Sequence, residues 1–295
     1  MAAGLVLLRG FNYLPHRIKV SLCRLLGRVG YRISARRRQI ALTNLELCFP
    51  QMSKAERQSL VKRNFEEWSI SLVEIAMSWY GAPKGFFDNL DIEGVENFEA
   101  ALAEERGVIL LGAHFSTIEL GSLLFRLSVG RDLPVHVVYR EQKNELFNHV
   151  MEKRRLRHAT SIIAKSNLRQ IIRRLRAKEI IWYAPDHDLG EQNSVFVPFF
   201  GQTAATLTTT SQLASINRAP VIMMSHYRNP DQRSYTVKFA PAIENFPSGD
   251  NAQDAIAINR VIEQAIEEAP EQYMWIHRRF KTQPGMEKGA LYSKR

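Results

Sequence analysis

The sequence predicts a single α/β domain: a central mixed sheet flanked by helices, with a helical layer at its N-terminus. Three observations carry this. The first 80 residues have helical texture, "GAPKG" (81–85) interrupts it, and from about residue 90 short β-rich runs alternate with helical stretches. Alternation of this kind implies crossover units that place helices on the faces of a sheet. No internal repeat or low-complexity linker divides the chain. Residues 1–30 are read as a membrane-interface helical segment and 31–295 as the α/β domain.

Each element has its own signal. "MSKAERQSLVKRNFEEWSISLVEIAMSWY" opens with Ser53 and Glu56 in capping-box spacing; hydroxyl and carboxylate then satisfy free amides of the first turn. Leu60, Trp68, Leu72, Ile75 and Trp79 follow at roughly helical intervals. "GVILLGAH" (107–114), "VHVVYR" (135–140), "EIIWYAPD" (179–186) and "PVIMMSHYR" (220–228) read as strands, and "RSYTVKFAPAI" (233–243) as an edge strand. "ELFNHVMEKRRLRH" (145–158), "NLRQIIRRLRAK" (167–178) and the stretch from Asp250 to Pro270 read as helices.

Composition narrows the partners. At 295 residues, with 45% hydrophobic and 24% charged positions, the chain buries a large core and is not a disordered one. Its 40 Lys+Arg against 30 Asp+Glu give a net charge of +10, which favours phosphates, acidic proteins, nucleic acid or an anionic membrane surface. Two cysteines, Cys23 and Cys48, make neither a disulfide framework nor a four-ligand zinc cluster, which suits a reducing compartment. No run approaches the ~20 apolar residues of a spanning helix. "MAAGLVLLRGFNYLPHRIKV" suits either a helix lying in a membrane interface or an amphipathic helix packed on the domain.

In open α/β sheets, ligands bind beyond the carboxyl ends of the strands. His114, Arg140 and Asp186 all fall at such ends. Glu119 stands five positions after His114; on one continuous helix the two would point about 140° apart. If His114 instead occupies the turn after the strand and Ser116 starts the helix, Glu119 in its first turn reaches back to the ring. A carboxylate on one ring nitrogen fixes the tautomer and leaves the other nitrogen to take a proton from a hydroxyl. Asp186 and Asp188 flank His187; such a pair suits a metal, an orienting contact to Arg140, or a turn cap, and the orienting role is preferred. Zinc-protease spacing and a Gly-x-Ser-x-Gly elbow are both absent from the sequence.

"NLELCFP" (44–50), "HFSTIELG" (114–121), "WYAPDHDLG" (182–190), "SVFVPFFG" (194–201) and "PEQYMWIHRRFKTQP" (270–284) resemble, in order, the late acyltransferases of lipid A biosynthesis. This is the lauroyl/myristoyl transferase family of Gram-negative bacteria, within the His-x4-Asp/Glu glycerolipid acyltransferase superfamily. The resemblance runs from about residue 20 to about residue 284, and its long "WYAPDHD" and "PEQYMWIHRRFKT" blocks are the specific part. It implies transfer of a fatty acyl chain from acyl carrier protein to a hydroxyl of a lipid A precursor of the Kdo2-lipid IVA type, without a cofactor or metal. Residues 31–295 would then be the acyltransferase domain, with His114 as general base and Glu119 as its charge partner. Arg140, whose fork suits bidentate phosphate, would bind the acceptor together with Asp186, Asp188, Arg278 and Arg279. "VFVPFFG" would wall the acyl pocket. The resemblance also implies a phosphorylated glycolipid acceptor and the cytoplasmic face of the bacterial inner membrane, with peripheral or N-terminal attachment. Family members typically begin with a longer hydrophobic anchor, so this start suits a peripheral form or a protein whose true start lies upstream.

The basic stretches 152–159 and 173–178 suit an acidic carrier protein, lipid headgroups, or plain solvation. Two other readings compete: an acyltransferase acting on a lysophospholipid or an amino-acid lipid, and a basic lipid- or nucleic-acid-binding module without catalysis. No helix-turn-helix, RNA-binding aromatic block or zinc-finger spacing supports nucleic acid.

Overall fold

The computed structural model describes residues 2–293. Four helices come first: α1 (Ala2–Phe11), α2 (His16–Ile33), α3 (Ala35–Cys48) and α4 (Lys54–Tyr80). Helix α4 begins at the expected capping box, with Ser53 and Glu56 bonded reciprocally, and stops at Gly81, whose φ of 102° suits only glycine. Helix α2 lies along α4, burying Val20 and Cys23 there. Gly27 makes that approach possible: a Cβ on it would sit 2.6 Å from the backbone of Phe65 and Glu66.

The α/β part runs β1 (Leu90–Glu93), α5 (Val95–Ala103), β2 (Val108–Leu111), α6 (Gly121–Val129), β3 (Val135–Tyr139), α7 (Glu145–Arg155), β4 (Ser161–Ala164), α8 (Leu168–Arg176) and β5 (Ile180–Tyr183). It continues with β6 (Ser194–Phe199), β7 (Gln202–Leu207), α9 (Thr209–Ala214), β8 (Val221–Arg228), β9 (Tyr235–Phe239) and α10 (Asn251–Glu268). Seven strands form one sheet in the order β1-β9-β8-β2-β5-β3-β4. Its pairs are parallel except β8–β9, so the sheet is mixed as expected.

Strand 235–239 is not the edge the sequence suggested. β1 pairs with its outer side, and β1 and β4, both four residues long and unanticipated, are the true edges. "VFVPFFG" also departs from expectation. β6 forms a separate antiparallel hairpin with β7, and Phe199 and Val197 are buried while Asn259 of α10 bonds Pro198 O. The hairpin packs on α10, and of its two strands only Leu207, at the end of β7, reaches the cavity described below; residues 194–201 do not line it.

The central strands are apolar on both faces because both faces are covered. Ile109, Leu111, Ile181, Tyr183, Val221 and Met223 face α3, α8, α9 and α10. The alternate residues, among them Val108, Leu110, Ile180 and Trp182, face α5 and α6. Both cysteines are buried and unpaired.

Candidate functional site

The site is built by strand register. β2 and β5 are adjacent and parallel, with Leu111 opposite Tyr183. Three residues beyond each stand His114 and Asp186, so the two side chains leave the sheet side by side. His114 Nδ1 lies 2.6 Å from Asp186 Oδ1, and the His114 amide donates to Asp186 Oδ2 at 3.0 Å. Close helix packing behind this turn requires Gly112 and Gly121, since a Cβ on either would press on the Trp182 indole at 3.0–3.1 Å.

A strap between α10 and the C-terminus holds the turn from the other side. Met274 N donates to His114 O at 2.9 Å and Ser116 N donates to Gln272 O at 2.8 Å. The strap is in turn fixed by the N-terminal layer: Asn64 and Trp68 of α4 donate to Tyr273 O, and Asn44 of α3 donates to Trp275 O and His277 O. Two of the blocks that carry the resemblance, 44–50 and 270–284, thus meet beneath the histidine.

Asp186 is fully enclosed. Burial alone would raise its pKa, but the charge and hydrogen bonds of His114 outweigh that and hold the carboxyl well below the usual range. It is therefore an anion, and its ring partner carries hydrogen on Nδ1. The other nitrogen, Nε2, is left for chemistry. His114 is 23% exposed at its side chain and opens onto a cavity of about 630 Å³, within the range of small-molecule sites. Ile118, Val137, Tyr139, Ile171, Leu207 and Leu213 give it apolar walls, while Arg140 and Lys165 stand at the ends of adjacent strands.

The ring partner expected from sequence was Glu119, and the structure puts Asp186 there. Ser116 does not begin an α-helix; a single 3₁₀ turn, Ile118–Leu120, carries Glu119 before α6 starts at Gly121. Its carboxylate lines the same cavity but is engaged by Arg155, through an ion pair and an Nε contact at 3.2 Å, and by Trp79 Nε1 at 3.2 Å. Arg155, the last residue of α7, had no individual signal in sequence; its stretch looked like a solvated basic helix.

A histidine of one strand-end turn, locked to a buried carboxylate and facing an apolar cavity, has the chemistry to move a proton to or from a bound group. Comparison with known proteins supplies the family. The model of the family described as bacterial lipid A biosynthesis acyltransferase matches residues 1–282. The chain belongs to that family. It is 39% identical over 272 residues to the lipid A biosynthesis lauroyltransferase of Escherichia coli strain K12, covering 92% of this chain and 88% of the relative. It is 36% identical over 282 residues to the palmitoleoyltransferase of the same strain, covering 95% and 90%. A lipid A biosynthesis acyltransferase of Haemophilus influenzae is 35% identical over 263 residues, covering 88% and 83%. The protein is an O-acyltransferase.

The remaining expected site residues of the acyltransferase divide cleanly. Arg140 is exposed at the cavity rim. Asp186 orients His114, not Arg140. Asp188 caps and clamps: it accepts from Gly190 N, Thr282 N and Thr282 Oγ1 at 2.8–2.9 Å, pinning its loop to the strap's continuation. Arg278 is half-buried, with its guanidinium over the Tyr292 ring. Arg279 turns inward, bonding Ala205 O and Thr206 Oγ1 and lying over Phe199, so it braces the β6–β7 hairpin and presents nothing to a ligand. His114, Asp186 and His187 offer ligand atoms within 4.8 Å of one another. The two rings are nearly parallel, however, so their lone pairs run side by side and do not converge on one point.

Proposed function

We propose that this acyltransferase moves a fatty acyl chain from acyl carrier protein to a hydroxyl of a phosphorylated lipid A precursor, of the Kdo2-lipid IVA type. The observation that carries the mechanism is the His114–Asp186 pair facing the apolar cavity. His114 Nε2 takes the proton of the acceptor hydroxyl as its oxygen attacks the thioester carbonyl. Asp186, an enclosed anion, steadies the imidazolium that forms. Collapse of the tetrahedral intermediate breaks the C–S bond, and the departing thiolate recovers the proton from His114. Glu119, held by Arg155 and Trp79, supplies a second negative charge in the cavity wall that favours the imidazolium. Arg140, at the cavity rim, is the cation for acceptor phosphate, while Arg278 lies in a separate recess beside Arg36 and Arg38.

Membrane-surface attachment is part of the same reading, with residues 1–30 and the end of α2 as the contact. Ile18, Leu22, Leu25, Leu26, Val29 and Ile33 form one exposed apolar stripe on α2, opposite the face packed on α4. Arg17, Arg24 and Arg32 stand beside it. An apolar stripe with flanking arginines suits the boundary of an anionic bilayer, here the cytoplasmic face of the inner membrane. Among the described residues no helix is long and apolar enough to cross a membrane.

Mass spectrometry of products formed from the precursor and a mixture of acyl carrier protein thioesters tests this reading. One added chain, lost in His114→Ala, is the expected result. Transfer to a lysophospholipid but not to the precursor would reassign the acceptor. Transfer to neither would overturn the proposal.

A further inference from the structure

Three histidines from three segments form one column. The His187 ring lies on His114 with centroids 3.6 Å apart and planes 13° apart, and His277 lies on the opposite face of His187 at 3.8 Å and 13°. His187 follows β5, whereas His277 ends the strap that holds the backbone of His114. Nε2 of His187 and Nε2 of His277 are buried without a hydrogen-bond partner among the described residues. Unpaired buried nitrogens are unfavourable and call for an explanation.

The hydrogen bond to Asp186 fixes one edge of the His114 ring but leaves it free to swing about that bond. A flat ring 3.6 Å away blocks the swing, and a second ring blocks the first from yielding. The column is ringed by Asp186 and Asp188 on the β5 loop, Arg279 and Lys281 on the strap's continuation, and the Tyr273 hydroxyl beside Asp186. Glu119 and Arg155 face it across the cavity. Burial is the largest influence on the His187 and His277 rings and lowers His187 to about 3 and His277 to about 4, so each is neutral at physiological pH.

We propose that His187, backed by His277, is a positioning residue for the base: its flat face holds the His114 plane so that Nε2 stays aimed into the cavity. The role depends on ring shape and not on a titrating nitrogen. It rests on the reading of His114 as the base.

The test compares His187→Phe with His187→Leu, two apolar residues of similar bulk of which one is flat, alongside His114→Ala. Steady-state acyl transfer is measured on the full chain, with thermal unfolding to confirm folding. His187→Leu is expected to lower kcat by about ten- to a hundredfold, the scale of a slightly misplaced catalytic group, with KM little changed. His187→Phe should recover most of that loss. Native activity in His187→Leu would overturn the proposal. So would equal impairment in folded Leu and Phe variants, which would show that a nitrogen matters. Full activity in His114→Ala would remove the base reading and the positioning role together; loss there beside native activity in His187→Leu removes the positioning role alone.

Discussion

His114 Nδ1 and Asp186 Oδ1 are 2.6 Å apart although 72 positions separate them in the chain. The same offset relates Leu111 to Tyr183 in the neighbouring parallel strands, so the pair is a product of sheet register. A one-residue slip would turn either side chain to the other face of the sheet.

Asp186→Asn should keep the fold, because the amide fills the same space, but should lower kcat on the order of 10³–10⁴-fold through loss of the charge and the enforced tautomer. Single-turnover kinetics measures this directly. A loss confined to KM would show that Asp186 serves binding instead.

Glu119 and Arg155 should behave as one unit. Each of Glu119→Gln and Arg155→Gln is expected to reduce turnover, and the double variant to be little worse than either single one, a coupling of about 0.5–3 kcal/mol. Additive losses in this double-mutant cycle would mean the two act separately.

Arg279 and Arg140 should separate by assay. Arg279→Gln removes a buried brace and should lower the melting temperature. Arg140→Gln, at an exposed position, should leave melting unchanged and raise KM for the phosphorylated acceptor. The opposite pattern would reverse the roles given to them here.

A buried charge network ties the N-terminal layer to the sheet. Arg228, at the end of β8, pairs with Glu67 at 2.6 Å and with Glu74, both on α4, and Tyr235 donates to Glu74 at 3.2 Å. Arg228→Met should cost about 3–5 kcal/mol, because it leaves two enclosed carboxylates without their cation. Chemical denaturation measures it; a change under 1 kcal/mol would show that the network is dispensable to stability.

Stability should fall as pH drops from about 6.5, the ordinary histidine value, towards 4. Burial lowers His187 to about 3 and His226 and His277 to about 4. Over that window the unfolded chain binds protons that the folded chain refuses, so acid favours unfolding. The depressed Asp186 adds to the loss only at lower pH, below its ordinary value near 4. Calorimetry at pH 5 should find about one fewer proton taken up on unfolding in His187→Phe. An unchanged proton uptake would mean that His187 titrates alike in both states.

Local chemistry made much of this legible in the chain. The capping box at Ser53 and Glu56, the helix cap at Asp250 and the apolar runs at 108–111 and 180–183 need only nearest neighbours to declare themselves. Strand ends then mark where a site must open, and His114 stands at one of them. Neighbouring blocks could not reveal partners chosen across the sheet. The edges β1 and β4 are too short to give a clear period, which left β9 looking like the border. Glu119 sits near His114 in sequence but turns towards Arg155, while Asp186 reaches the ring because register brings it there. Arg278 and Arg279 are neighbours in sequence and share one expected acceptor-binding role, yet the first lines a surface recess and the second is enclosed.

The sequence by itself determined the α/β class, the helical N-terminal layer, the family and the histidine at the strand end, because these rest on periodicity, capping and contiguous motifs. Tertiary structure alone decided which carboxylate holds that histidine, which arginines face the cavity, and that three histidines stack. Those contacts span tens to hundreds of residues, and they are set by strand register and by the strap that α3 and α4 hold in place.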